Sequence, residues 1–171
     1  LQNKGILNLH WIDADNFDIE ELSSLDGVVV PGGFGYRGIE GKISAIEFIR
    51  KNNIPFLGIC LGLQCAVIEF ARNVCGISDA NSSEFSKNSK NPVIDILPNQ
   101  NLEKDDIGAS MRLGTYPCKV ISDTHAQEIY GNEIVYERHR HRYEVNNKYR
   151  KDLETSGLVF SGVSPDDDLV E

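Results

Sequence analysis

A sharp turn between an apolar strand and a helix is the feature that most limits how this chain can fold. The segment from Ile54 to Gln64 runs Ile-Pro-Phe-Leu-Gly-Ile-Cys-Leu-Gly-Leu-Gln, with Cys60 at the centre of a G-x-C-x-G pattern. A side chain at such a turn projects beyond the sheet edge, and the amides and dipole at the start of the following helix favour a thiolate over a thiol. The pattern is typical of a nucleophile elbow. It predicts an enzyme domain built around a reactive cysteine with a lowered pKa.

Strands and helices alternate in the first half of the chain, which is typical of a mostly parallel sheet. Apolar runs predict strands at Ile6 to Ile12, Val28 to Val30 and Phe56 to Cys60. Apolar residues at helical spacing predict helices around Asp18 to Leu25, Ile43 to Ile49 and Leu63 to Ala71. The predicted fold class is α/β, with a mostly parallel central sheet and helices on both faces.

The second half begins with a stretch rich in Asn, Ser, Lys and Asp, from Ser78 to about Gly114, which predicts loops around one apolar run. Regular structure then returns. We expect a helix at Thr124 to Tyr130, strands within Ile134 to Val145, a helix from Asn147 that Gly157 ends, and a strand at Leu158 to Val163. No linker divides the sequence, so residues 1–171 are predicted to form one domain.

Charge and composition exclude several classes of partner. The 171 residues include 17 Lys and Arg against 26 Asp and Glu, a formal net charge of −9, which argues against nucleic-acid binding. No apolar run is long enough to span a bilayer and no signal-peptide pattern is present, so we expect no membrane partner and a cytoplasmic location. Four cysteines lack the paired short spacing of a zinc site, and no metal site is predicted.

A thiolate that attacks a carbonyl needs hydrogen-bond donors for the oxyanion that develops. The backbone N–H of Leu61, the residue after Cys60, is the first candidate donor in an elbow of this kind. A second donor has to come from another loop at the same sheet edge. The sequence Pro31-Gly32-Gly33-Phe34-Gly35 ends the preceding predicted strand, and its glycines let backbone amides turn toward a ligand. We expect the two loops to face one pocket.

Five segments together resemble the glutaminase domain of the CTP synthase family. They are Val30 to Gly35, Gly58 to Gln64, Asn81 to Phe85, Met111 to Gly114 and Glu137 to Asn146. The first two segments fit any class I (triad) glutamine amidotransferase. The S-x-E-F sequence at Ser82 to Phe85 and the string E-R-H-R-H-R-Y-E-V-N are much more specific. The resemblance covers nearly the whole chain.

The resemblance implies that Cys60 hydrolyses L-glutamine to glutamate and ammonia through a glutamyl thioester. In the family, a separate synthetase domain uses the ammonia, with ATP and Mg, to convert UTP to CTP, and the full-length enzyme is a homo-oligomer. No cofactor is implied for the glutaminase domain itself. Residue by residue, Gly33 contacts glutamine or lines the oxyanion hole, Leu61, Gly62, Leu63 and Gln64 surround the substrate, Glu84 meets its α-amino group, and Arg142 holds its α-carboxylate side.

One family motif is absent. Family members place the catalytic His in an H-P-E motif downstream of the segment that resembles Asp166 to Glu171, and this sequence has no H-P-E. None of its histidines takes the triad position. We therefore expect a glutaminase domain truncated at both ends, without the synthetase domain and inactive as a fragment.

The residues alone leave other interpretations open. Glu84 is also explained as a solvated loop carboxylate, and the string from Arg138 to Arg142 as an exposed strand, a phosphate site, or a metal site built on His139 and His141. Two alternatives to the CTP synthase function share the elbow. One is another triad hydrolase such as a γ-glutamyl hydrolase, and the other is a regulatory or binding module that performs no chemistry.

Overall fold

The computed structural model describes residues 5–96, 111–166 and 169–171. A 3₁₀ helix at Ile19–Ser24 precedes the first strand. The α-helices are α1 Ile39–Lys51, α2 Leu61–Asn73, α3 His125–Tyr130 and α4 Asn147–Thr155. The strands are β1 Val28–Val30, β2 Phe56–Gly58, β3 Ala80–Ser82, β4 Asn91–Ile96, β5 Arg112–Val120, β6 Ile134–His141, β7 Tyr143–Val145 and β8 Gly162–Val163.

Parallel and antiparallel pairing coexist in the described residues. Strand β1 pairs in parallel with β2, and β3 pairs in parallel with β4. On its other side β4 is antiparallel to β7, while β5 is antiparallel to both β6 and β8. The predicted α/β class is confirmed, and the fold is a mixed one in which an antiparallel β5–β6 ribbon accompanies the parallel strands. This ribbon brings the Glu137 to Asn146 string to the elbow.

Helix α2 is the centre of the larger hydrophobic core. Its buried face, which includes Val67 and Ile68, packs with Ile43 of α1, Ile94 of β4 and Leu153 of α4. A smaller cluster joins α1 to the 3₁₀ helix through Ile49 and Leu22. The apolar 3.6-residue periodicity of α1 and α2 predicted both helices because these faces are buried against other elements. The nucleophile elbow is therefore mounted on the best-packed helix of the chain.

The predicted strand at Ile6 to Ile12 is wrong, because residues 5–12 take no regular structure. Leu7 is 83% exposed and Trp11 is 87% exposed. A strand needs hydrogen bonds from a neighbouring edge, and within the described residues β1 pairs only with β2. Val29 and Leu57, which face each other across this β1–β2 pair, are each 57% exposed. An apolar run was thus not sufficient to make a buried strand here.

Two other boundaries differ from the sequence prediction. The strand predicted at Leu158 to Val163 is reduced to β8, whose two residues pair with the end of β5. The predicted loop region from Ser78 contains the short strand β3, where Ala80 and Ser82 are fully buried. The part of that region at residues 97–110 lies outside the described residues. The helices predicted at Thr124 to Tyr130 and from Asn147 are confirmed as α3 and α4.

Candidate active site

Cys60 lies between β2 and α2 in a strained backbone conformation. Its φ is 54° and its ψ is −104°, a combination that residues other than glycine rarely adopt. The following helix begins at Leu61, and the Gln64 N–H donates to the Cys60 carbonyl oxygen at 3.1 Å. Strain of this kind persists only where the surrounding structure enforces it, and it is concentrated at functional sites. The predicted nucleophile elbow is present in the structure.

The two glycines that flank Cys60 are explained by close approach of backbones. A Cβ on Gly58 would lie 2.7 Å from the carbonyl carbon of Gly62, and a Cβ on Gly62 would lie 2.1 Å from the carbonyl oxygen of Val30. Neither distance is possible for a real side chain. The G-x-C-x-G pattern therefore lets the start of α2 press directly against β1 and β2, which fixes the height of Cys60 above the sheet edge.

The glycine loop after β1 lies against this elbow. A Cβ on Gly32 would be 3.5 Å from the Cβ of Cys60, and one on Gly33 would be 3.0 Å from Cδ2 of Leu61. The backbone N–H groups of Leu61 and Gly33 both donate toward the Cys60 sulfur. The structure thus brings the predicted first donor and the predicted glycine loop together at the thiol. Two converging N–H groups are the arrangement that stabilises an oxyanion.

The pKa of the Cys60 thiol is nevertheless raised above its ordinary value. Burial is the largest cause, and the negative charges of Glu84 and Glu144 add to it. The N–H donors of Leu61 and Gly33 lower the pKa but do not outweigh burial. The expectation of a lowered pKa, taken from the elbow pattern alone, is wrong. The pattern revealed the donors but neither the burial nor the two carboxylates.

Glu84 follows β3, and its carboxylate contacts the glycine loop. Oε1 of Glu84 accepts a hydrogen bond from the Gly35 N–H at 3.0 Å. The Glu84 charge raises the pKa of the Tyr143 hydroxyl and the Arg142 charge lowers it, after the larger effect of burial. The opposite charges of Glu84 and Arg142 therefore have opposite effects on the pKa of the same side chain. The structure brings these two predicted residues into one neighbourhood beside Tyr143.

Gln64 connects helix α2 to strand β7, which begins at Tyr143. Its side chain is 7% exposed, and its Nε2 donates to the Tyr143 carbonyl oxygen at 3.0 Å. A cavity of about 180 Å³ lies beside the thiol, and its lining includes Cys60, Leu63, Gln64 and Tyr143. Leu61 and Gly62 are buried beneath it at the start of α2. Sequence analysis missed Tyr143, although it lies within the E-R-H-R-H-R-Y-E-V-N string.

A buried charge network forms the far wall of the cavity. The Arg112 guanidinium bonds Glu144 (Nη1 to Oε1, 3.2 Å) and Glu171 (Nη2 to Oε1, 2.6 Å), and all three side chains are at least 92% buried. His139 Nε2 contacts Oε2 of Glu171, and His141 Nδ1 lies 3.3 Å from Oε1 of Glu144. Burial raises the pKa of Glu144 to about 7. Sequence analysis missed Arg112 and Glu144, although both lie in segments that carry the family resemblance.

The metal interpretation of His139 and His141 finds no support in the described part of the chain. Both ring nitrogens of His139 are engaged, Nδ1 with the Glu137 carbonyl oxygen at 3.0 Å and Nε2 with Glu171. No group of three possible ligands occurs among the described residues.

None of the helices described is both long and apolar enough to cross a membrane.

Comparison with known proteins places this arrangement in a family. The family model for class I glutamine amidotransferases matches residues 3–171. The chain belongs to the class I glutamine amidotransferase family. Its elbow, glycine loop and converging N–H groups are thus features of an amidotransferase domain, and the enzyme interpretation of the sequence is confirmed.

The relatives of this amidotransferase domain are CTP synthases. The CTP synthase of Caldanaerobacter subterraneus subsp. tengcongensis is 57% identical over 173 residues, which cover 99% of this chain and 32% of the relative. That of Methanocaldococcus jannaschii is 53% identical over 180 residues, which cover 99% and 33%. The predicted resemblance to CTP synthases is confirmed. The chain spans about a third of the length of these relatives.

A solved structure shows the same fold. The glutaminase domain of Trypanosoma brucei CTP synthase, with bound acivicin, aligns with a TM-score of 0.88 at 40% sequence identity. The alignment covers 94% of this amidotransferase chain and 63% of that one. The predicted class I amidotransferase fold is therefore confirmed.

Proposed function

We propose that the full-length protein hydrolyses L-glutamine to glutamate and ammonia, with Cys60 of this chain as the nucleophile. The observation that carries the proposal is the convergence of the Leu61 and Gly33 N–H groups on a cysteine held at a positive φ. A structural cysteine has no need of a strained turn or of two backbone donors at its sulfur. Membership of the class I glutamine amidotransferase family agrees with this chemistry.

The reaction proceeds in two steps. The Cys60 thiolate attacks the carbonyl carbon of the glutamine side-chain amide, and the oxygen that becomes negative accepts hydrogen bonds from Leu61 and Gly33. The C–N bond then breaks, and the nitrogen leaves as ammonia with the proton that the Cys60 thiol gave up on becoming a thiolate. Water next attacks the glutamyl thioester, which releases glutamate and restores the thiol. The cavity beside Cys60 is where the glutamine side chain would lie.

The substrate's two backbone charges account for Glu84 and Arg142. An α-amino acid carries one cation and one anion, and a partly buried pocket has to pair each of them. We assign the α-ammonium to Glu84 and the α-carboxylate to Arg142, whose opposite charges both act on Tyr143. Leu63 and Gln64 line the pocket, Gly62 lies between Cys60 and these residues at the start of α2, and Gln64 also holds Tyr143, the residue that follows Arg142.

The whole protein is proposed to be a CTP synthase. The relatives that match this chain carry that name and are about three times its length. In this proposal the ammonia passes to a synthetase domain, where ATP and Mg activate UTP for amination to CTP. A cytoplasmic homo-oligomer, as in the family, is part of the same proposal. The glutaminase domain itself needs no cofactor.

Covalent labelling tests the nucleophile. Acivicin is bound in the similar Trypanosoma brucei domain, so we expect it to modify the full-length protein that carries this sequence. Mass spectrometry of the digested protein should locate one adduct on Cys60, and excess glutamine should prevent its formation. The matched control is Cys75→Ser, which removes a half-buried free cysteine beyond the other end of α2 and should leave labelling unchanged. Labelling that persists in Cys60→Ser would remove Cys60 from the reaction.

A further inference from the structure

The glycine loop that supplies the Gly33 donor receives little support from side-chain packing. Phe34 is 65% exposed and Tyr36 is 82% exposed, so neither aromatic ring anchors the loop in the core. Gly35 has a φ of 76°, a conformation that leaves its N–H directed away from the regular path of the strand. A loop with exposed aromatic residues and two flexible glycines needs a specific bond to hold one of its amides at the thiol.

The bond between Glu84 and Gly35 has the required position. The Glu84 carboxylate accepts from the Gly35 N–H at 3.0 Å, two residues beyond the Gly33 amide. Glu84 itself stands on a well-anchored turn, because its own N–H donates to Oγ of the fully buried Ser82 at 3.1 Å. The next residue, Phe85, packs against the larger core. The carboxylate therefore connects a well-anchored turn to a loop whose two aromatic side chains are exposed.

We infer that Glu84 is a positioning residue for the oxyanion hole: its hydrogen bond to Gly35 holds the loop so that the Gly33 N–H faces Cys60. The inference rests on the proposed glutaminase function and adds a second task to a residue assigned there only to the substrate ammonium. A carboxylate has two oxygens and accepts several hydrogen bonds, so Oε1 can hold Gly35 while Oε2 meets the ammonium. Substrate recognition and transition-state stabilisation are thereby coupled through one side chain.

The negative charge of Glu84 also links substrate binding to the ionisation of the Cys60 thiol. It helps to raise the pKa of the Cys60 thiol. An ammonium paired with Glu84 would offset that charge, so the thiol would ionise more readily with glutamine bound than without it. The same carboxylate would hold the oxyanion loop in place in both states.

Two conservative substitutions separate the two tasks. Glu84→Gln keeps an acceptor oxygen within reach of Gly35 but loses the charge, whereas Glu84→Asp keeps the charge but withdraws it by about 1.5 Å, one C–C bond length. We expect Glu84→Gln to raise the KM for glutamine at least about tenfold with kcat within about threefold. We expect Glu84→Asp to lower kcat about 100-fold, the loss typical of one oxyanion donor, with a smaller change in KM.

The measurement is steady-state glutamate release by the full-length protein, together with the pH profile of Cys60 alkylation by iodoacetamide. The profile should move to lower pH in Glu84→Gln, and slightly to higher pH in Glu84→Asp, which keeps the charge but withdraws the Gly33 N–H that lowers the thiol pKa. Thermal melting checks that each variant folds. Equal effects of both variants on kcat and KM, in folded protein, would overturn the coupling while leaving the glutaminase proposal intact. Absence of glutamine hydrolysis and of acivicin labelling in the unsubstituted protein would instead overturn the proposed function.

Discussion

Opposing influences act on the protonation of the Cys60 thiol. Backbone strain and two N–H donors prepare the sulfur to act on a carbonyl, while burial and the charges of Glu84 and Glu144 keep its pKa raised. A thiol that stays protonated until substrate arrives is protected from oxidation and from unproductive alkylation, because the thiolate is the reactive form. The donors matter most after attack, when negative charge moves from sulfur to oxygen.

Sequence patterns located the chemistry of this site better than its electrostatics. The elbow, the glycine loop, Glu84 and Arg142 are all marked by short motifs, because backbone turns and substrate charges restrict the residue types that fit. The carboxylate of Glu144 near Cys60 carries no local signal of its own. Its position depends on how β7 packs beside α2, which sequence spacing does not specify. Tyr143 escaped notice for the same reason.

Substitution of Arg142 tests its assignment to the substrate carboxylate. In the full-length enzyme we expect Arg142→Ala to raise the KM for glutamine between about 10-fold and 100-fold, because a hydrogen bond to a charged group contributes about 1.5–3 kcal/mol. CTP formation from free ammonia should be unchanged, since ammonia needs no α-carboxylate site. The two reactions are compared by steady-state kinetics. Lys119→Ala removes an exposed cation at the opposite end of β5 and should affect neither substrate. Equal losses with glutamine and with ammonia would remove Arg142 from the pocket.

At the scale of elements, the junction of β1, β2 and α2 decides where the nucleophile stands. Helix α2 contacts both strands and carries the largest buried face of the described helices, so it resists displacement. Gly58 and Gly62 allow this contact at backbone distance. The glycines of the elbow are therefore packing residues as well as turn residues, and a rigid helix transmits their geometry to the Cys60 sulfur.

Gly62→Ala is expected to destabilise the fold and to impair activity together. A Cβ at this position would lie 2.1 Å from the Val30 carbonyl oxygen, so α2 or β1 has to move. We expect a loss of at least about 2 kcal/mol of unfolding free energy, as for an overpacked core. Thermal and urea unfolding measure the loss, and acivicin labelling reports the position of Cys60. Gly5→Ala is the matched control, since no atom outside the adjacent residues lies within 4 Å of its Cβ. Wild-type stability in Gly62→Ala would contradict the close-approach argument.

Elements with one strong periodic face were predicted, and elements whose burial depends on a distant partner were not. Helices α1 and α2 bury stripes that the sequence displays directly. Strand β3 has the polar sequence Ala-Asn-Ser, yet Ser82 is fully buried and the Ala80 carbonyl oxygen accepts from Nε of Arg72 at 2.7 Å. Its strand pairing with β4 comes from the packing of α2, not from the residues of β3 themselves. The opposite error occurred at Ile6 to Ile12, where an apolar run predicted a strand that does not form.

At the scale of the whole molecule, the β5–β6 ribbon brings a charge network into the buried interior. Arg112 at the start of β5 joins Glu144 of β7 to Glu171, so one guanidinium connects three separated segments. Buried charges of this kind are costly unless every partner is present. His141 and His139 complete the group, with their rings 5.0 Å apart. The network therefore couples the protonation of several residues to the folding of the chain as a whole.

His141 and Glu144 have opposite pKa shifts. Burial lowers the pKa of His141 to about 4, helped by the charges of His139 and Arg112. Burial raises the pKa of Glu144 to about 7 against the opposing charge of Arg112. The His141 contribution to stability is present above its unfolded pKa of about 6.5 and is lost as the pH falls toward 4. The Glu144 contribution is present below its unfolded pKa of about 4.5 and is lost as the pH rises through 7.

Between about pH 4.5 and 6.5, the His141 contribution to the free energy of unfolding increases with pH and the Glu144 contribution decreases. The two changes therefore nearly cancel in the intact protein. We expect single substitutions to expose them. Relative to the parent, His141→Gln should lose stability as the pH rises from about 4 to about 6.5, and Glu144→Gln should lose stability as the pH falls from about 7 to about 4.5. In each variant, the difference in unfolding free energy from the parent should change by about 3 kcal/mol across its pH window, because one pKa unit corresponds to about 1.4 kcal/mol.

Urea unfolding of the parent and both variants at half-unit pH steps measures these slopes, and the difference from the parent removes the contribution of all other groups. His125→Gln is the matched control, because the His125 side chain is 84% exposed and lies outside the charge network. Slopes of the same sign in His141→Gln and Glu144→Gln would contradict the opposed pair. Slopes of opposite sign would show that a buried acid and a buried base at the wall of the active site keep the stability of the molecule insensitive to pH, even though each is individually far from its solution pKa.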